Sequence, residues 1–406
     1  MSIIGRSCQK VTRQGKRHVG NCDTPLLLLH FGTQALKCPL FPKNIMTILN
    51  IYPARFVFGR RKGWRFMEDH TSRIIIETVL KKTLREIKES PERSVRNLVD
   101  LALHFSKGRF QHSFFAAAQT MLQDDRSHYY ALIKDTVYHV DEERLLSFGM
   151  NLGYNGCTVG AAVIRKKEEV EGYNIPWMLT LQLNPKQQER YETVITQGES
   201  MGIHTWLLAA EEEPEFAFSL VEKHQDSAFI LLCHPSAVTS IFLERASACT
   251  NLMIAVHTEP GCHEACGRLR EARLLYAVCS CYDEHDVEQI ENGQLFETME
   301  QMHPVFTGLY AANGCPKSAQ ERVWKAINRA RNGQCFQTII WELGFDSDHV
   351  DSIISNEPCS ACFNTEGSLI SPGTYEANDA YNLFRQDLPL ILKRAFPKSC
   401  PQKVTV

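Results

Sequence analysis

Six cysteines stand at spacings that suit metal or cluster chemistry. Cys262 and Cys266 form a Cys-x3-Cys pair, and Cys279 and Cys281 follow on an apolar run, with His257 just upstream. Zinc is held by four nitrogen or sulfur ligands, and iron–sulfur clusters by thiolates, so this is the densest set of suitable donors in the chain. Cys279 and Cys281 are two residues apart on a strand and so point to one face of it. Cys359 and Cys362, with Cys335 or Cys315 in reach along the chain, give a Cys-x2-Cys spacing, which is half of a zinc or cluster site. Against both readings stands the plain one, that a free buried cysteine behaves as a small hydrophobe. A third feature is the acidic run Ala210-Glu211-Glu212-Glu213-Pro214. It reads as the acidic start of a helix, where carboxylates meet the positive end of the dipole. No nucleophile elbow, Walker loop or dinucleotide fingerprint occurs. Gly149-Met150-Asn151-Leu152-Gly153 lacks both the third glycine and a preceding strand.

The elements that must position these residues are legible from periodicity. Residues 70–150 read as five helices. An apolar stripe runs through Ile74, Val79, Leu80, Leu84 and Ile87, and Ser90-Pro91-Glu92 opens the second helix. Asp141-Glu142-Glu143 opens the fifth. The pattern then changes to short apolar runs alternating with amphipathic stretches. Met178–Leu183, His204–Ala209, Ala228–Cys233, Leu252–His257, Leu274–Ser280 and Val305–Ala311 qualify as buried parallel strands. Strands alternating with helices imply right-handed βα units. After 336–343 the alternation stops. A hairpin turning at Glu366-Gly367 is expected over 363–370, and a last helix over 375–396.

Several of these stretches resemble the radical S-adenosylmethionine (radical SAM) family, in the branch with a helical N-terminal extension. The resemblance covers about 67–390 and is strongest over 145–177 and 190–235. It is carried by Phe148 to Cys157, by Asn174-Ile175-Pro176-Trp177, and by Glu222-Lys223-His224 before the third strand. It implies an α/β fold: a partial (β/α)6 barrel, preceded by an all-α domain and followed by a small α+β cap with a SPASM-like segment. In that family a Cys-x3-Cys-x2-Cys loop after the first strand holds a [4Fe-4S] cluster. Here Leu183 runs into Asn184-Pro185-Lys186-Gln187, and no cysteine lies between Cys157 and Cys233. The family's Gly-Gly-Glu-Pro, which holds the amino group of S-adenosylmethionine, matches Glu213-Pro214, with Glu211 and Glu212 in place of the glycines. The turn after the third strand, Asn-x-Thr-like in the family, reads His234-Pro235-Ser236-Ala237. An auxiliary cluster site would take cysteines before and after the C-terminal hairpin. Cys359 and Cys362 precede it, but Ser371-Pro372-Gly373 follows it, and the next cysteine is Cys400.

Charge divides the chain. Residues 1–66 hold twelve Lys/Arg and one acid, a balance of +11, whereas 67–406 carry −14. The first segment shows no period and reads as a disordered extension, or as lying ahead of a start at Met67. The expected organisation is therefore 1–66 extension, 67–165 helical domain, 175–345 partial barrel and 346–406 cap. The acidic body argues against nucleic acid as a partner. Fifteen scattered cysteines without a secretion signal fit reduced thiols in a cytoplasmic protein. No apolar run approaches the roughly 18 residues of a membrane span. The function expected is that of a non-catalytic radical SAM relative, a partner or regulator of an intact paralogue. The alternative is a radical SAM, Fe–S or zinc enzyme whose cluster site is relocated or truncated from the sequence.

Overall fold

The strands form one nine-stranded sheet in the order β7-β6-β5-β4-β3-β2-β1-β8-β9. In the computed structural model, which describes residues 63–105, 109–210, 213–371 and 378–399, they are β1 (Met178–Gln182), β2 (Thr205–Ala209), β3 (Ala228–Cys233), β4 (Leu252–His257), β5 (Tyr276–Tyr282), β6 (Phe306–Ala311), β7 (Ile339–Glu342), β8 (Ala361–Phe363) and β9 (Leu369–Ser371). From β1 to β7 each strand pairs parallel with the next, and β8 pairs parallel with β1 on its other side. Only β9 runs antiparallel, closing on β8 a hairpin whose Gly367 has φ 82°.

The sheet is wider than six βα units. Ile339–Glu342 adds a seventh consecutive strand, too short to stand out, because α14 (Leu343–Ser355) begins directly after it with no turn residue between. The hairpin joins the main sheet beside β1 rather than forming a cap of its own. The last helix is also shorter than expected. It spans Leu388–Ala395, with Pro389 in its first turn, and proline bars any extension in which it would lie in a helix interior.

A parallel sheet needs both faces covered. The outer face carries Leu179, Leu181, Trp206, Leu208, Phe229, Leu231, Ile254 and Val278, packed under a layer of helices. These include α7 (Gln188–Met201), α8 (Ala217–Lys223), α9 (Ser240–Ala248), α10 (Cys262–Glu271), α11 (Val287–Glu291), α12 (Gln294–Glu300) and α13 (Lys317–Asn332). On the inner face the sheet curls around a second cluster, in which Leu207, Ala228, Leu232, Met253, Ala255, Ala277 and Cys279 meet Val140 and Phe148 from the helices before the sheet. Those helices are α1 (Gly63–Glu89), α2 (Pro91–Phe105), α3 (Arg109–Met121), α4 (His128–His139) and α5 (Glu142–Gly149). Asp141 caps α5 by accepting from the N–H groups of Glu143 and Arg144. Lys62–Val406 make one compact unit. No helix among the described residues is long and apolar enough to cross a membrane.

The stretch Phe148 to Cys157 closes the inner face at the N-terminal ends of the strands. α5 continues into a π-helix, Met150–Gly160, and then α6 (Ala161–Glu171). Asn151 donates to the carbonyls of Gln225 (2.7 Å) and Ser227 (3.0 Å), and Asn155 to that of Asp226 (2.8 Å), all in the loop that enters β3. Arg144 does the same for Ala246, Ser247 and Cys249 ahead of β4. Gly160 brings the backbones together, since a methyl there would run into the carbonyl oxygens of Gly202 and, at 2.7 Å, of Asn155.

Overpacking of this kind costs about 1–3 kcal/mol. Gly160→Ala is expected to lower the unfolding free energy measured in urea by that amount. Gly153→Ala, where a methyl meets nothing within 4 Å, should leave it unchanged or raise it by about 0.5–1 kcal/mol from helix propensity. Equal midpoints for the two variants would refute the packing described.

Candidate functional site

In barrels of parallel strands, chemistry sits in the loops at the C-terminal ends of the strands. At the first of these, β1 leaves the sheet and reaches α7 in five residues, 183–187. Each is tied down. Leu183 N–H donates to Ala209 O (2.8 Å), Asn184 N–H to the Tyr191 hydroxyl (3.0 Å), and Asn184 Oδ1 accepts from Lys186 N–H (3.1 Å). Asn184 Nδ2 reaches across to Thr365 O in the hairpin (3.1 Å). The turn contains no thiol, and on β8, beside β1, Cys362 stands alone next to Thr180. The donor set here does not fit a three-thiolate cluster.

At the end of β2, Ala210 is buried and its N–H bonds Leu232 O at 3.0 Å. Glu211 and Glu212 lie outside the described residues. Glu213 is exposed and left-handed, with φ 49° and ψ 56°, immediately before Pro214. Left-handed backbone favours glycine, and a residue before proline favours extended backbone, so this position is strained for glutamate. Its side chain caps nothing.

The six cysteines singled out by spacing do not converge. Cys262 and Cys266 occupy successive turns of α10 with their sulfurs 4.0 Å apart, buried in the outer core. The bond to Cys262 and burial push the Cys266 thiol well up. Cys279 lies on the inner face, its sulfur against Gly308, and burial raises it to about 12. Cys281, two residues on, is exposed. Cys359 is buried in the outer core and held by Asp351, whereas Cys362 alternates to the face opposite Ala361 and Phe363. Burial raises Cys362 to about 12. Among the described residues no group of three or more His, Cys, Asp or Glu side chains is arranged to hold a metal ion.

What converges at the strand ends is a set of imidazoles. His234, the first residue after β3, bonds through Nδ1 to Glu259 Oε2 at 2.9 Å. His257 ends β4 and lies 3.2 Å through Nδ1 from the Tyr310 hydroxyl on β6. The two imidazole rings stack, with centroids 5.0 Å apart and planes at 29°. Strand alternation places His257 and Tyr310 on the inner face, since Val256 and Leu309 belong to the outer core. Spacing rules miss this set because its members come from three strand ends.

A second polar centre is structural. Segment 174–177, which leads into β1, hands its N–H groups to buried carboxylates: Ile175 to Glu168 (2.7 Å) and Trp177 to Asp351 (2.9 Å). Asn174 adds a side-chain bond to Glu357 (2.7 Å). Burial, opposed by the bonds from Trp177 and Ser360, raises the Asp351 carboxyl to about 8.

No family model matches the chain, and no curated protein matches it. Among solved structures, SuiB of Streptococcus suis bound to precursor peptide SuiA aligns at TM-score 0.43 and 9% identity, over 56% of this chain and 67% of that one. SuiB bound to S-adenosylmethionine gives 0.43 and 10%, over 56% and 66%. Native anSMEcpe with bound AdoMet and Cp18Cys peptide gives 0.36 and 8%, over 53% and 80%. These alignments assign no residue of this chain a role.

The Asp351 carboxyl keeps its proton to about pH 8 in the folded protein and loses it near the ordinary value of 3.8 when unfolded. Between those values unfolding releases a proton, so its contribution to stability is full below about pH 4 and is lost as the pH rises to about 8. Asp351→Asn, which keeps an acceptor for Trp177, is expected to flatten the decline of the denaturation midpoint across that window. An identical slope in the variant would show that Asp351 does not titrate there.

Proposed function

We propose that this protein is a radical SAM-type barrel that does not cleave S-adenosylmethionine and acts as a partner or regulator of an intact paralogue. The observation that carries this reading is the thiol-free turn of five residues between β1 and α7, closed by hydrogen bonds at Leu183, Asn184 and Lys186. Reductive cleavage needs an iron atom with an open position on a cluster held by three thiolates. Chain segment 158–232 holds no thiol to supply them. The acidic loop after β2 supports the same reading. Glutamates stand where the family pattern has glycines, and they would repel the carboxylate of the cofactor. Ile74 and Ile75 on α1, 55% and 56% exposed, offer apolar surface of the kind a protein partner covers.

The expected organisation into a helical domain, a barrel and a C-terminal segment belongs to the same proposal. So does the assignment of Glu213 and Glu211 as remnants of a cofactor pocket that no longer closes. A relocated Fe–S or zinc site at Cys262, Cys266, Cys279 and Cys281, or at Cys359 and Cys362, is the competing reading, and metal analysis separates the two.

After anaerobic reconstitution we expect iron and acid-labile sulfide far below one cluster per chain, and no 5′-deoxyadenosine above the blank when S-adenosylmethionine and dithionite are added. Four irons per chain together with 5′-deoxyadenosine would overturn the proposal. In a binding assay with a purified cluster-bearing paralogue from the same host, Ile74→Glu with Ile75→Glu should weaken association at least tenfold. Absence of binding by the parent protein would remove the regulatory half of the reading.

A further inference from the structure

Among the described residues, the imidazole set at the strand ends is a cluster of titratable side chains that neither the proposed cofactor site nor the fold accounts for. Its chemistry can be read atom by atom. A carboxylate only accepts hydrogen bonds, so Glu259 Oε2 at 2.9 Å assigns the hydrogen of neutral His234 to Nδ1. The Nε2 atom then carries a lone pair and is an acceptor, with the ring held in place by Glu259 on one side and by the stack with His257 on its face. His257 is positioned in turn by the Tyr310 hydroxyl, and its ring meets that of Tyr310 edge-on at 6.1 Å. Both partners of the first pair are open to ligands. The His234 side chain is 36% exposed and that of Glu259 50%.

The surroundings select the ligand. Below the imidazoles the inner face is closed core: Ala255, the next same-face residue down β4 from His257, and Leu232, in register with it on β3, are both buried. Gly308 lies one step down β6 from Tyr310 and is in register with Cys279. Above them, the loops leaving the strands are acidic. Among the described residues of exits 183–187, 210–216, 234–239, 258–261, 283–286 and 312–316, the acids are Glu213, Glu215, Glu259, Asp283, Glu284 and Asp286, and Lys186 is the only lysine or arginine. Thiols at the rim feel this charge. Burial and then Asp286 and Asp283 raise the Cys281 thiol, and burial and then Asp283 and Glu284 raise Cys315. An anion would be repelled here. Among the described residues a divalent metal would find no three ligands together. An organic cation finds carboxylates for its charge, the Nε2 acceptor of His234 for its N–H and aromatic rings for its face.

We propose that the strand ends of this protein bind an ammonium or guanidinium group, with His234 Nε2 as hydrogen-bond acceptor, Glu259 as the carboxylate that holds His234 in the accepting tautomer, and His257 with Tyr310 as the aromatic face beside it. Such a group reaches the site either on a free polyamine or on a lysine or arginine side chain of a peptide. The site is independent of iron–sulfur chemistry, so its failure would leave the preceding reading in place, and the reverse holds too.

The test uses the full chain in titration calorimetry. The probes are spermidine, a short peptide rich in lysine and arginine, and the same peptide with its lysines acetylated and its arginines replaced by citrulline. We expect saturable binding of spermidine or of the basic peptide, and none of the neutralised peptide. His234→Ala and Glu259→Gln should each weaken it at least tenfold, and Tyr310→Phe by a smaller factor, with thermal midpoints held within the error of the parent. Binding of the peptide alone would assign a protein source for the cation, and binding of spermidine alone a free polyamine. Nitrogen-15 shifts of the His234 ring provide a second measurement that does not depend on finding a ligand. They should report hydrogen on Nδ1 and a bare Nε2. The proposal is overturned if neither cationic probe binds, if His234→Ala and Glu259→Gln change binding less than twofold, or if the His234 hydrogen resides on Nε2.

Discussion

Eight strands running the same way, buried on both sides, oblige the chain to supply two separate covers, and that obligation organises the molecule. The outer cover is routine, because each crossover helix falls onto it. The inner cover cannot come from crossovers on the same side of the sheet, and it must end in side chains that satisfy the loop carbonyls it buries. The π-helix and α5 meet both demands. Val140 and Phe148 fill the inner cluster, while Asn151, Asn155 and Arg144 donate to six backbone carbonyls in the loops and the end of α9 ahead of β3 and β4. A buried carbonyl without a donor costs about 1–3 kcal/mol, so these three side chains tie the helical layer to the sheet more specifically than apolar contact does.

The entry to β1 faces the same accounting problem in reverse. Its N–H groups at Ile175 and Trp177 point into the core, and the acceptors are carboxylates from α6 and α14. Glu168 is partnered by Lys398, beyond the last helix, and the Asn174 N–H donates to Phe396 O at 2.8 Å. The C-terminal segment is therefore a strap over the first strand. This also explains why the hairpin joins the sheet: β8 fills the free edge of β1, and an unpaired edge next to buried acids would leave more backbone groups unsatisfied.

Elements with strong periodicity were legible in advance. Ala228–Cys233 and Leu252–His257 fall where their apolar runs begin and end, and Gly202, at φ 99°, stops α7 as its position suggests. The seventh strand was not legible, because four residues flanked by a helix start carry no alternation. The placement of the cysteines was not legible either, for a related reason. Cys262 and Cys279 are close in sequence and sit at the same end of the sheet, but helix α10 and strand β5 present them to opposite sides of it. Conversely, His234, His257 and Tyr310 belong to strands whose ends meet only once the parallel register is known. No spacing rule spans the gap of 53 residues between His257 and Tyr310.

The electrostatics of the strand ends bear on both functional readings at once. A radical SAM site must hold a cofactor that brings a carboxylate and an amino group together, and it balances the two with glycine backbone and one acid. Under the reading proposed above, Glu213 and Glu215 after β2, Glu259 after β4, and Asp283, Glu284 and Asp286 after β5 shift that balance toward cations. In a half-buried mouth the effective dielectric is well below that of water, and a unit charge pair at 4 Å is worth about 4 kcal/mol at an effective dielectric of 20. On that scale the described acids of these exits favour a cationic ligand over an anionic one. A barrel whose rim charge served no ligand would be expected to drift in sign there. One whose acids share their side of the sheet with an oriented imidazole pair has the parts of a site for a different class of ligand.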